Sequence, residues 1–190
     1  MKKNEKENKM TKLNHPIEKL VQTISYKGVD FDVVERPDVL WVGCVDFASN
    51  NTDESNIDAT LKRYREELIN VPKNELINPN YSAALSINYR NNDKPNGLMF
   101  AQETYSDKQD ERYDLFVQPT GLWLRLCNNK DTDTALLGRE NHGSWEYFGI
   151  LNTVAEENNY KQNPDIYVEI EYYCHTGTGA NYVYIPINKN

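Results

Sequence analysis

The sequence predicts an α+β domain of two pseudo-symmetric strand-helix-strand-strand halves, forming one antiparallel sheet with two helices on one side and a ligand cleft on the other. Three observations lead there. Segments of strict two-residue alternation recur along the chain; the clearest is Asp165 to Tyr173, with Ile166, Val168, Ile170 and Tyr172 on one face and Tyr167, Glu169, Glu171 and Tyr173 on the other. Two segments instead repeat apolar residues every three or four positions, as amphipathic helices do. The order strand, helix, strand, strand is met twice, over residues 29–105 and 114–187, although the two copies share almost no identical residues.

Met1 to Asn14 is dominated by Lys, Asn and Glu, too polar to offset the entropy of ordering, and reads as a disordered tail. Residues 15–28 are expected to form a short helix and linker: Pro16 suits a first helical turn, Ile17, Leu20, Val21 and Ile24 follow at helical spacing, and Gly28 ends it. The domain then runs over residues 29–188. Val29 to Glu35 and Val39 to Phe47 are strands parted by a turn or bulge at Arg36-Pro37-Asp38. A helix follows, capped by Thr52 or Ser55 and carrying Ile57, Leu61, Tyr64 and Leu68 on one face; it stops near Val71-Pro72. Strands Tyr81 to Arg90 and Leu98 to Tyr105 complete the first half. In the second half, a strand from Asp114 to Leu126 is interrupted at Pro119-Thr120-Gly121. A polar connection leads to a helix from the cap Ser144 to Asn159, with Trp145, Phe148, Leu151, Val154 and Ala155 inside. The strands Asp165 to Tyr173 and Tyr182 to Ile187 close the unit, joined by a turn containing Gly177-Thr178-Gly179.

A chain of 190 residues can bury an adequate core without disulfides or metals, so a monomeric domain is expected. The net charge of −8 argues against direct binding to nucleic acid, which needs Lys and Arg to displace counterions. No apolar run is long enough for a membrane span and the lysine-rich start lacks the core of a secretory signal, so the expected compartment is the cytoplasm. Cys44, Cys127 and Cys174 lack paired spacing and read as reduced thiols. His142 and His175 have no second ligand at metal-binding spacing, and neither a metal nor another cofactor is expected.

The acidic face of the Asp165 to Tyr173 strand carries the functional reading. Two carboxylates between two phenols suit neither a dry core nor an ordinary solvated surface, and they read as a cleft wall. A carboxylate sheltered at the floor of an apolar cleft attracts a cation strongly, and aromatic faces add roughly 0.5 to 2 kcal/mol per close contact with that cation. Burial would also raise the carboxylate's pKa and make it a usable general base, so binding and catalysis both stay open. Tyr173, Trp123, Tyr182, Tyr184 and Trp41 are the candidate ring-bearing partners, with plain core as the competing reading for the last four. Trp123 is favoured because it faces away from Leu122, Leu124 and Leu126.

The element order, the entry Pro119-Thr120-Gly121-Leu122-Trp123, the helix beginning at Trp145, the strand Val168-Glu169-Ile170-Glu171-Tyr172-Tyr173 and the closing Tyr184-Ile185-Pro186-Ile187 together resemble the GyrI-like, or bacterial transcription activator effector-binding, domains. The resemblance covers residues 29–188. It implies a glutamate on the penultimate strand, followed two residues later by tyrosine, at the base of an aromatic cleft that takes lipophilic or cationic ligands. Glu171 with Tyr173 fits that spacing, and Glu169 takes the role if the alignment slips by two. Many members are halves of AraC-type or MerR-type regulators; the few residues before Val29 hold no helix-turn-helix here. The resemblance therefore implies a stand-alone drug-binding or effector-binding module. Its alternatives are a hydrolase of cyclopropane-bearing toxins, with Glu171 or Glu169 directing water, and a protein-interaction module of the gyrase-inhibitor kind.

Overall fold

The computed structural model describes residues 15–47, 54–67, 71–89, 94–138, 146–175 and 181–190; the predicted tail, the caps Thr52 and Ser144, and Leu68, His142, Trp145 and Gly177-Thr178-Gly179 lie outside them. In chain order the elements are β1 (Lys19–Tyr26), β2 (Val29–Arg36), β3 (Val39–Asp46), α1 (Glu54–Glu67), β4 (Tyr81–Ile87), β5 (Gly97–Thr104), β6 (Asp114–Gln118), β7 (Gly121–Asn128), α2 (Lys130–Leu137), α3 (Glu146–Glu157), β8 (Tyr160–Gln162), β9 (Val168–Cys174) and β10 (Asn181–Lys189). The strands form one antiparallel sheet in the order β1-β2-β7-β10-β9-β4-β5-β3-β6, with β8 added to β10.

That order is pseudo-symmetric about the central pair β9 and β4: β10 and β7 continue one half as β5 and β3 continue the other. The first strand of each half is exchanged, β2 bordering β7 and β6 bordering β3. The exchange comes from a bent two-stranded ribbon. Arg36 faces Gly121 and, three residues on, Val39 faces Gln118, so the register passes through the bend without a slip. Pro37 and Pro119 sit at the bend, where no ladder N–H is required. The Thr120 amide donates to Asp38 Oδ1 at 2.6 Å and its hydroxyl to the Arg36 carbonyl at 3.0 Å. Two connecting residues reach only about 11 Å at 3.8 Å per Cα step. The ends of β2 and β3 therefore stay close although they lie toward opposite ends of the sheet order, and the sheet must curl.

The helix expected over 15–24 is instead the turn before β1 and most of β1 itself. Lys27 and Gly28, at φ of 50° and 79°, make a two-residue hairpin turn of the type that matches strand twist, so Gly28 turns a hairpin rather than ending a helix. A bulge between Leu20 and Gln22 shifts the alternation, which is why the apolar residues mimic helical spacing. A further helix, α2, lies within the predicted polar connection. The Asn129 side chain caps it by accepting from the Asp131 and Thr132 amides, and Gly138 ends it at φ 69°.

One face of the sheet carries the helices: α3 covers β10, β8 and β7, and α1 covers β3 and β5. Beneath α3 lies a core of Phe31, Leu124, Leu126, Leu151, Val154 and Ile185. The helix-free face was expected to hold the cleft. It is filled by a second core of Val34, Trp41, Leu85, Met99, Trp123, Ile170, Tyr172 and Tyr184, because the curl of the bent ribbon brings side chains from both ends of the sheet together there. The groove opens on the helical side.

Candidate functional site

The central strands β9 and β4 run between the two covered ends of the sheet. On β4, Tyr81, Ala83, Leu85 and Ile87 point into the helix-free core, which leaves Ser82, Ala84 and Ser86 on the helical face. Their small side chains leave a trough. Across the ladder, Ser82 faces Tyr173, Ala84 faces Glu171 and Ser86 faces Glu169, so each large β9 side chain stands beside a small neighbour about 5 Å away. The resulting groove has a volume of about 1090 Å³. Ile57, Leu61, Tyr64 and Arg65 of α1 form one wall, Leu98 and Phe100 of β5 adjoin it, and Glu171 and Tyr173 rise from β9.

Glu171 and Tyr173 are both partly buried, and the Tyr173 hydroxyl donates a hydrogen bond to Glu171 Oε2. Residues two apart on a strand share a face, so this contact follows from the spacing itself. Glu169 is the more enclosed carboxylate, 3% exposed, and accepts from Gln162 Nε2 of β8 at 3.3 Å. It lines a neighbouring cavity of about 330 Å³ with Tyr167 and Gln162, and Tyr89 borders both openings.

The other predicted rings are elsewhere. Residues directly opposed in an antiparallel ladder share a face, and β10 places Tyr182 opposite Tyr172, Val183 opposite Glu171 and Tyr184 opposite Ile170. Tyr182 and Tyr184 thus lie in the helix-free core with Trp41 and Trp123. Trp123 does face away from Leu124 and Leu126, but α3 covers the leucines, so facing away from them means facing the helix-free side. An aromatic cage is present there, and it holds the chain's own cations. The Arg36 guanidinium stands 5.2 Å from the Tyr184 ring and 5.9 Å from those of Trp41 and Trp123, and Arg125 stands 5.5 Å from Tyr182. The groove residues Ser82, Ala84, Ser86, Leu98 and Phe100 escaped the sequence reading. Alternation of small with large residues along β4 was their available signal.

Burial pushes the Tyr64 phenol up to about 12, against an opposing hydrogen bond from Ser82. Partial desolvation holds the imidazole of the more exposed His175 below its ordinary range. The folded state thus favours neutral Tyr64, and stability should fall as pH rises from 10 toward 12. Ultraviolet titration of Tyr64→Phe should show the loss of a phenol that ionises near 12; loss of one ionising near 10 would contradict the buried placement.

No family model matches the chain, and no curated protein matches it. Solved structures do. SAV2435 bound to tetraphenylphosphonium superposes with a TM-score of 0.59 at 12% identity, over 83% of this chain and 93% of that one. A protein of Staphylococcus aureus MU50 gives 0.57 at 14% identity over 85% and 99%. The EcmrR C-terminal domain gives 0.56 at 14% identity over 84% and 98%. The fold is that of a GyrI-like effector-binding domain. The two halves meet at β9 and β4, and β9, the penultimate strand, carries both Glu169 and Glu171. No helix among the described residues is long and apolar enough to cross a membrane.

Proposed function

We propose that this GyrI-like domain binds lipophilic organic cations in the groove beside α1, with Glu171 as the counter-charge. The observation that carries this reading is a partly buried carboxylate, held by the Tyr173 hydroxyl, in a groove walled mostly by apolar and aromatic side chains. A soft, delocalised cation gains most from such a site: it loses little hydration on entry, meets a carboxylate poorly screened by water, and packs its rings on Tyr64 and Phe100. The tetraphenylphosphonium bound to SAV2435 is a cation of this class.

Tetraphenylphosphonium is the direct probe. Calorimetric titration of the full chain should give saturable binding, weakened about 10- to 100-fold by Glu171→Gln, the equivalent of roughly 1.4 to 2.8 kcal/mol. Glu169→Gln should change the affinity less, since Gln162 bonds that carboxylate outside the larger groove. Triphenylphosphine oxide, of similar shape without the charge, should bind at least about tenfold more weakly than the phosphonium. Equal affinity for the charged and neutral probes, or an unaffected Glu171→Gln variant, would remove Glu171 from the site.

A further inference from the structure

The helix-free interior holds a chain of buried charges that the proposed groove does not use. From one end it runs Asp32, Arg125, Glu18, Arg36, Glu103, His15. Arg125 Nη2 meets Asp32 Oδ2 at 3.1 Å and its Nη1 reaches Glu18 Oε2; Glu18 Oε1 lies 3.3 Å from Arg36 Nε; Arg36 Nη2 meets Glu103 Oε1; and Glu103 Oε2 takes His15 Nε2 at 2.6 Å. Four of the six come from strands β2, β5 and β7. The other two, His15 and Glu18, come from the short segment before β1, yet their side chains are 0% and 3% exposed.

Two features mark that segment as an occupant rather than part of the wall. Its fit is incomplete: Glu18 Oε1 and Arg36 Nε lack hydrogen-bond geometry, and Trp123 Nε1, Gln118 Nε2 and the Tyr184 hydroxyl are buried in the same interior with no hydrogen-bond partner among the described residues. Its apolar attachment is also thin. β1 is an edge strand in which Lys19 to Thr23 are exposed, and the apolar ties of the segment and strand are Ile17, Ile24 and Tyr26. Little apolar surface would be uncovered if β1 peeled from β2, and such edges belong to the low-stability end of local opening.

We propose that the helix-free interior is a second binding site, for a small aromatic carboxylate, and that residues 15–18 are its built-in occupant, released together with β1. The vacated groups define the ligand. A ring that donates an N–H to Glu103 leaves with His15, and a carboxylate between two guanidiniums leaves with Glu18. An indole bearing a carboxylate supplies both, and Trp41, Trp123 and Tyr184 offer rings around the Arg36 end of the space. Asp32 and Glu103 stay behind to balance the two arginines, so one incoming anion restores the charge that Glu18 contributed.

The test uses the full chain and indole-3-propionate. By calorimetry, Glu18→Gln should bind this acid at least about tenfold more tightly than the unaltered chain, because weakening the occupant raises the fraction of open protein. Indole-3-propionamide, which lacks the charge, should not bind detectably. Equal affinity of the two chains for the acid, or equal binding of acid and amide, overturns the proposal. Hydrogen exchange on the unaltered chain keeps the question decidable should Glu18→Gln fail to fold: millimolar indole-3-propionate should speed exchange across Lys19–Tyr26, and unchanged or slowed exchange there overturns the proposal. Tetraphenylphosphonium should leave that exchange unaltered.

Discussion

Replacing Glu103 with alanine is expected to destabilise the fold by about 3 to 5 kcal/mol, the range for breaking a buried ion pair from one side. Glu103 sits on β5 with its side chain fully buried and both oxygens engaged, Oε1 by Arg36 and Oε2 by His15 at 2.6 Å and the Tyr172 hydroxyl at 3.0 Å. Without it, Arg36 keeps Glu18 as its nearest carboxylate inside a box of rings, while His15 and Tyr172 lose their shared buried acceptor. Glu103→Gln should cost less, since the amide oxygen still accepts. The pH dependence separates charge from packing. Burial alone would raise the Glu103 carboxyl, but Arg36, with the hydrogen bonds from His15 and Tyr172, outweighs it and holds the group below the ordinary carboxylate range. A depressed carboxyl contributes stability above its unfolded pKa, near 4.5, and that contribution fades as pH falls. Urea denaturation between neutral and acid pH should therefore show a steeper acid loss for the unaltered chain than for Glu103→Gln. An alanine variant within about 1 kcal/mol of the parent would mean that the buried Arg36–Glu103 pair contributes little to stability.

The same charge chain marks where the sequence stops being legible. The period of two along β9 assigns Ile166, Val168, Ile170 and Tyr172 to one side and Glu169, Glu171 and Tyr173 to the other, and the structure agrees, because alternation is a property of a single strand. Joining β9 to β10 requires their register, and a slip of one residue exchanges the faces. In the observed register Val183, not Tyr182 or Tyr184, stands beside Glu171, which is why the acids and the rings part company across the sheet. Arg36 carried no local sign of burial; its place depends on the bend at Pro37 and on Gln118 and Glu103, which lie far along the chain. β1 misled for the opposite reason, since its bulge imitates helical spacing, while Lys27-Gly28 held the hairpin signal. The groove is written in the small residues of β4, but a run of Ser and Ala tells of space only when a helix roofs its neighbours.

Gly43→Ala should also destabilise the protein, by about 3 kcal/mol, and unlike most core changes it should weaken cation binding as well. Gly43 lies on β3 opposite Ala101 of β5, and a Cβ built there would fall 2.1 Å from the Phe100 carbonyl oxygen and 2.8 Å from the Ala101 Cα. Both obstacles are in the backbone and Ala101 is close-packed, so no rotamer change relieves the contact and the β3-β5 ladder has to open. Gly28 provides the contrast: an added Cβ there meets nothing within 4 Å, and Gly28→Ala should cost only the strain of its left-handed φ, about 1 kcal/mol. The ladder next to Gly43 carries the groove wall, since Leu98 and Phe100 belong to β5 and α1 rests on β3 and β5. Shifting β5 away from β3 moves Phe100 relative to Glu171 on β9, and with it the spacing between ring and carboxylate that a phosphonium must fit. Denaturant melts should place Gly43→Ala well below Gly28→Ala. Tetraphenylphosphonium titrations below the melting range should show weakened binding for the Gly43 variant alone. Parental affinity in a destabilised but folded Gly43→Ala protein would mean that the cation sits elsewhere, because a site leaning on Phe100 cannot keep its shape when the strand beneath it has moved.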